Sequence, residues 1–163
     1  MAGTWQEPRA WHAGLAGVVA VAGALIRDDD GRVLVVKQNY RDAWALPGGI
    51  CEFAEPPHLG CAREVREETG LDVGPGRLLA VDWHRAGPDY GPGARPSVFF
   101  LFDGGFVRPG TTIVLQADEL DDYRFVSAGD LPDLLPPHVL PRVLAALAAQ
   151  EAGTTNYVPG PAG

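Results

Sequence analysis

At 163 residues, 46% of them apolar, the chain is long enough to bury one full core and short for two domains. Its net charge of −8, with Lys37 as the single lysine, excludes the basic footprint that duplex nucleic acid requires, but not an anionic small substrate whose phosphates a metal ion neutralises. Two cysteines, Cys51 and Cys61, are too few for a disulfide scaffold or a zinc site, and such sparing use points to the cytoplasm.

Residues 1–13 read as a polar arm. Its Trp5 and Trp11 call for burial, on the core or on a second subunit, which leaves a homodimer open. The apolar run 14–26 is shorter than a membrane span, so no membrane association is expected. With Arg9 ahead of it, the run has the look of a signal-peptide core, but it continues smoothly into a Val- and Ala-rich strand over 18–27. Asp28-Asp29-Asp30-Gly31 is a turn, and 32–38 is a second strand, which completes a hairpin. Residues 39–45 form a loop holding Tyr40, Arg41 and Trp44, and Trp44 is expected beneath the Pro47-Gly48-Gly49 turn.

Pro56 and Pro57 start a helix that Gly70 stops, with Leu71 supplying the hydrophobic contact of a glycine cap. On a helical projection Leu59, Cys61, Ala62, Val65 and Thr69 share a side and are expected to face the core. Residues 72–76 form a turn and 77–85 a strand. The stretch 86–97 is rich in Gly and Pro, irregular, and expected to shape substrate choice. An apolar strand over 98–102 is expected to be buried on both faces, followed by a break over 104–110. Further strands are expected at 111–115 and 122–126, with an acidic loop over 116–121 between them. A short turn or helix over 131–135 precedes a last helix over 139–150, where Leu140, Val143, Leu144 and Leu147 recur at helical spacing. The folded core is thus expected over 14–151, with a disordered tail over 152–163.

The opposite side of the first helix is unusual. Glu64, Glu67 and Glu68 crowd one arc, where like charges at these spacings repel by roughly 0.2–0.5 kcal/mol per pair. Glu67 and Glu68 also sit at the negative end of the helix dipole. A divalent cation would remove both penalties, and carboxylates without His or Cys suit Mg²⁺ or Mn²⁺. Arg63 and Arg66 partly offset the charge, so a salt-bridged surface is the plainer alternative.

The stretch as a whole resembles the Nudix box, a Gly and a Glu followed by a spaced Arg-Glu, an apolar residue, Glu-Glu, Gly and an apolar residue. These positions are Gly49, Glu55, Arg63-Glu64, Val65, Glu67-Glu68, Gly70 and Leu71, behind Leu46-Pro47-Gly48. One accessory position differs: the residue before Glu55, often Gly in the family, is Ala54. The resemblance implies an α+β Nudix fold, a mixed sheet in an α/β/α sandwich, with 1–163 as a single Nudix domain. It also implies metal-dependent hydrolysis of the pyrophosphate linkage of a nucleotide-type small molecule: an NTP, ADP-ribose, a nucleotide sugar or a dinucleoside polyphosphate. Carried across by position, Glu64 and Glu68 are metal ligands, Glu67 is a third, and the Gly48 carbonyl is a backbone ligand. Arg63, with Glu55, orients the carboxylates. Family members place the catalytic base either on this helix, which fits Glu64, or on a late loop, which fits Glu119, with Asp118 as the weaker choice there. Arg27, Tyr40, Arg41, Arg85 and Tyr90 are the substrate-side candidates. Pro88 and Tyr90 fit neither of the family's spacing rules for substrate. The alternative is a catalytically inactive Nudix-fold nucleotide sensor or interaction module, against which the complete ligand set argues.

Overall fold

A computed structural model describes residues 7–15, 17–74, 76–85 and 94–160 and shows an eight-stranded mixed sheet. Side-chain alternation builds it. In β1 (Val19–Asp28), Leu25 joins one apolar cluster while Ala24 and Ile26 join another; in β2 (Val33–Gln38), Val33 and Val35 likewise oppose Leu34. The face with Ala24, Ile26 and Leu34 is covered by α2 (Pro57–Thr69) through Cys61 and Val65. The other face is covered by α4 (Leu140–Ala152) through Val143, Ala146 and Ala149. This is the expected α/β/α sandwich. Trp44 is buried in the α4-side cluster with Leu46, and the Arg124 guanidinium lies 4.7 Å above its ring.

The hairpin forms and then parts. Asp28 Oδ1 accepts the N–H groups of Asp30 and Arg32 at 3.1 and 2.8 Å, which pins the turn. Beyond the pair Arg27 and Val33, β1 leaves β2. It pairs in parallel with β6 (Ser97–Val107) and antiparallel with β4 (Gly48–Ile50). β2 instead takes β3 (Trp44–Ala45) and β7 (Leu120–Val126). The cleft described below is lined by residues of both parted strands, Val21 and Gly23 from β1 and Gln38 from β2.

Several expectations are corrected. β6 runs unbroken for 11 residues past Gly104 and absorbs the irregularity as a shift of register against β1 between Leu25 and Arg27. Only its Leu101 and Phe102 are buried; Val98, Phe99 and Phe100 are half-buried, because Phe99 borders the cleft. Residues 111–115 form no strand. They supply the N–H of Val114 to the Thr69 carbonyl (2.9 Å), and Gln116 gives its N–H to the Glu68 carbonyl (3.1 Å). Both bonds satisfy carbonyls left open at the end of α2. On α2 itself Leu59 is 51% exposed, and Glu68, 4% exposed, is buried beside Val65 and Thr69.

The tail expected to be disordered is ordered over 153–160. β8 (Asn156–Val158) adds in parallel to β5 (Leu78–His84), which otherwise ends the sheet as an open edge. Thr155 Oγ1 donates to the Leu78 carbonyl at 2.6 Å and Asn156 Nδ2 to the Ala145 carbonyl at 3.0 Å. The arm carries a short helix, α1 (Pro8–Ala13), capped by the Glu7 carboxylate. Trp11 is not buried: it is 51% exposed, edge-on to His12. Trp5 lies outside the described residues. A four-residue helix, α3 (Leu131–Leu134), precedes α4.

Candidate active site

Two glycines bring the backbone of β4 against the acidic arc of α2. Gly48 has φ of 144°, and a Cβ there would strike the backbone of Ala22 and Gly23. A Cβ on Gly49 would overlap the carboxylate of Glu64. Glycine at 48 thus lets β4 lie against β1, and glycine at 49 leaves room for the Glu64 carboxylate of α2. The N–H of Gly48 then donates to Glu68 Oε2 at 2.8 Å.

Glu68 is pushed up to about 8 by burial; the Gly48 N–H pulls against this, and the negative Glu64, Glu119 and Glu67 add to it. Burial also raises Glu64, which Arg63 opposes and Glu67 and Glu119 reinforce. Arg63 ties the cluster together. Its Nε and Nη2 form a fork on the two oxygens of Glu55, each at 2.9 Å, and Nη2 also reaches the Ile50 carbonyl at 3.2 Å. Its Nη1 donates to Glu64 Oε1 and to Glu67 Oε2, both at 2.9 Å. The Arg63 fork, with the Glu52 N–H, holds the Glu55 carboxyl at about 2. Arg63 therefore touches three carboxylates.

The loop before Glu55 explains the accessory glycine. Ala54 has φ of 62°, the left-handed region that costs a residue with a Cβ roughly 1–2 kcal/mol. Ala54→Gly is expected to stabilise the protein by up to about 1 kcal/mol, since relief of that strain is offset by the greater freedom of the unfolded chain. Denaturant unfolding checks this, and a lower midpoint for the variant would contradict it.

The carboxylates border a cleft of about 860 Å³. Gly48, Arg63, Glu64, Glu67 and Glu68 line it, as do Glu119, Tyr40 and Arg41 from separate loops. Glu119 is held there by its backbone, whose carbonyl accepts the Asn39 N–H at 2.9 Å. Other expected residues are elsewhere. Arg27 does not line the cleft; its guanidinium stacks on Phe106 at 4.5 Å, because that part of β1 lies beside the end of β6. Arg85 is exposed at the end of β5, outside the cleft, and Asp118 is exposed on its loop. Pro88 and Tyr90 fall outside the described residues. His84, Arg95, His138 and Arg142 also line the cleft and carried no sequence signal of their own.

The donor chemistry fits a hard divalent cation: oxygen ligands only, two of them carboxylates whose ionisation the protein alone disfavours. Among the described residues no three acidic, His or Cys side chains converge closely enough to hold an ion as they stand. Arg63 engages one oxygen of each of Glu64 and Glu67, which leaves Glu64 Oε2 and Glu67 Oε1 outside its ion pairs.

Residues 18–146 match the NUDIX domain family. The ADP-ribose pyrophosphatase of Methanocaldococcus jannaschii is 32% identical over 126 residues, 74% of this chain and 68% of that protein. A MutT-like protein of Streptomyces ambofaciens is 46% identical over 63 residues, which span 39% of this chain and only 40% of that relative. The crystal structure of a MutT protein from Methanosarcina mazei Go1 superposes with a TM-score of 0.67 at 26% identity, over 85% of this chain and 96% of the other.

Proposed function

Because the chain belongs to the NUDIX domain family, we propose that it hydrolyses the pyrophosphate linkage of a nucleoside diphosphate-linked small molecule, assisted by a divalent cation. The observation that carries this reading is the placement of Glu64 and Glu68, both raised by burial, on one border of a cleft of about 860 Å³. That volume suits a nucleotide-sized ligand. The name of the Methanocaldococcus jannaschii relative puts ADP-ribose first among the substrates to try, ahead of NTPs, nucleotide sugars and dinucleoside polyphosphates.

Glu64 and Glu68 would hold the ion, with Glu67 and the Gly48 carbonyl as further ligands. A bound Mg²⁺ or Mn²⁺ supplies a Lewis acid for the phosphoryl oxygens and offsets the carboxylate charge. Arg63 keeps Glu64 and Glu67 aimed at the cleft through its anchor on Glu55. Glu119, exposed on a loop whose backbone is fixed, is placed to take the proton of the attacking water or to add a ligand. Tyr40 and Arg41 stand at the cleft for the nucleotide, with the Arg41 guanidinium 5.4 Å over the Tyr40 ring. A cytoplasmic setting belongs to this proposal, supported by two unpaired cysteines; no described helix is long and apolar enough to cross a membrane.

The test is hydrolysis of the four substrate classes in Mg²⁺ and in EDTA, with products separated by chromatography. Cleavage to a nucleoside monophosphate in Mg²⁺, abolished by EDTA, is expected. Full activity after demonstrated metal removal would overturn the metal-assisted mechanism, and tight binding without turnover would identify a nucleotide sensor instead.

A further inference from the structure

Arg142 is only 4% exposed, yet it lines the cleft. Its guanidinium lies 3.6 Å above the Phe99 ring, its Nε is 3.3 Å from Asp82 Oδ2, and its Nη2 donates to the His138 carbonyl at 3.3 Å. Its Nη1 is buried without a hydrogen-bond partner. A buried N–H of a charged group left unmade is costly, and a buried ion pair is in itself a weak source of stability. Stability alone therefore gives a poor account of this arginine.

Its neighbours make the same demand. The rings of His84 and His138 lie 5.5 Å apart at the cleft. His138 is held below its ordinary value by burial, then by His84, Arg142 and Arg41, with only Asp82 pulling the other way. α4 begins beside them, and no side chain caps its first turn, so the positive end of the helix dipole adds to the field. One carboxylate, Asp82, faces Arg142 and the two histidines. This cluster sits on β5, α4 and the loop after β2, whereas the metal-type carboxylates sit chiefly on α2, across the sheet.

We propose that Arg142, His84 and His138 form a subsite for an anionic group, a phosphate or carboxylate, on the part of the substrate remote from the scissile pyrophosphate. The word substrate rests on the hydrolase reading above; the anion site itself does not. Arg142 supplies the fixed positive charge, Phe99 stacks on the guanidinium plane at 3.6 Å, and His138 at the exposed rim gains a proton as the anion arrives. The preferred substrate is then a nucleoside diphosphate linked to an acidic moiety rather than a neutral one.

The site is tested without catalysis. In EDTA at constant ionic strength, inorganic phosphate is titrated while the ring protons of His84 and His138 are followed by NMR, with chloride as the control and acetate as the carboxylate probe. Saturable shifts with phosphate, acetate or both are expected, and the probe bound more tightly identifies the anion. Arg142→Met combined with Asp82→Asn removes both buried charges and is expected to weaken binding at least tenfold. His138→Gln, on the exposed rim, keeps the fold and is expected to weaken it about threefold or more. Shifts no larger than those of chloride, or shifts that survive both variants, overturn the subsite. Its link to substrate is read from kcat/KM for ADP-ribose against ADP-ribose phosphorylated on the distal ribose. The phosphorylated form is expected to be favoured at least tenfold in wild type and not in the double variant; equal values in wild type overturn that link. Saturable phosphate binding in a protein that turns over nothing leaves the subsite standing and removes the hydrolase reading. Turnover without phosphate binding does the reverse.

Discussion

Glu64→Gln is expected to lower kcat by roughly 10³-fold or more, and Glu119→Gln by only about 10-fold to 10²-fold. The difference comes from where each carboxylate is held. Glu64 is half-buried on a rigid helix, overlies Gly49 and accepts from Arg63 at 2.9 Å. Neutralising it removes a ligand proposed for the ion and also releases the Arg63 Nη1 that bonds Glu67. Glu119 reaches the same cleft from a loop, and its charge acts on both Glu64 and Glu68. A carboxylate with lone pairs engaged on a cation is a poor base, which favours Glu119 for the proton; a fixed position favours Glu64 for the ion. Steady-state kinetics with calorimetric Mg²⁺ titration separates the two roles. If Glu119→Gln is as damaging as Glu64→Gln while metal affinity is unchanged, Glu119 is the base and this ordering is wrong.

The acidic half of the site was legible in the sequence because local covalent spacing makes it. Gly48, Gly49, Glu55, Arg63, Glu64, Glu67 and Glu68 occupy one short strand, the loop after it and one helix, and helical geometry alone puts the α2 carboxylates on one arc. The basic half was not legible because tertiary structure makes it. His84 ends a strand, His138 precedes a helix, and Arg142 sits in that helix next to Val143, outside the apolar positions that the spacing marks. The same limit explains Glu68 and Leu59. Both lie near the edge of the apolar face; the Gly48 N–H meets the acid in its buried position, while the leucine is 51% exposed. Residues 111–115 had the composition of a strand but were claimed by the open carbonyls of α2, and a Gly- and Pro-rich tail was ordered by the free edge of β5. Ala54 shows a departure from the family pattern that the backbone accommodates at a local cost.

Without metal, the protein is expected to be most stable near pH 5 and to lose stability toward pH 8, and Mg²⁺ is expected to offset much of that loss. The folded state raises Glu68 from 4.5 to about 8, so over this interval it holds a proton that the unfolded chain releases. The stabilisation is therefore complete below 4.5 and is lost as pH rises toward 8. Glu64 acts in the same direction through its own burial. Glu55 acts oppositely: lowered to about 2, it favours the folded state above 4.5 and loses that effect as pH falls toward 2. The maximum lies between the two windows. The Glu68 contribution is on the order of 3–5 kcal/mol between pH 5 and 8, which for a chain of this size corresponds to roughly 10 °C in Tm. A bound cation favours the ionised carboxylates, so Mg²⁺ at about 100 times its Kd adds about 2.7 kcal/mol at pH 8 and far less at pH 5, where protons compete. Glu68→Gln mimics the protonated acid and keeps an acceptor for the Gly48 N–H. It is expected to flatten the metal-free slope and to abolish most of the Mg²⁺ gain, while Glu52→Gln, exposed and outside the motif, changes neither. Thermal unfolding at pH 5, 6.5 and 8, in EDTA and in Mg²⁺, reads every arm. A metal-free Tm higher at pH 8 than at pH 5, or an undiminished Mg²⁺ shift in Glu68→Gln, would show that Glu68 is neither the buried acid nor the ligand assigned to it.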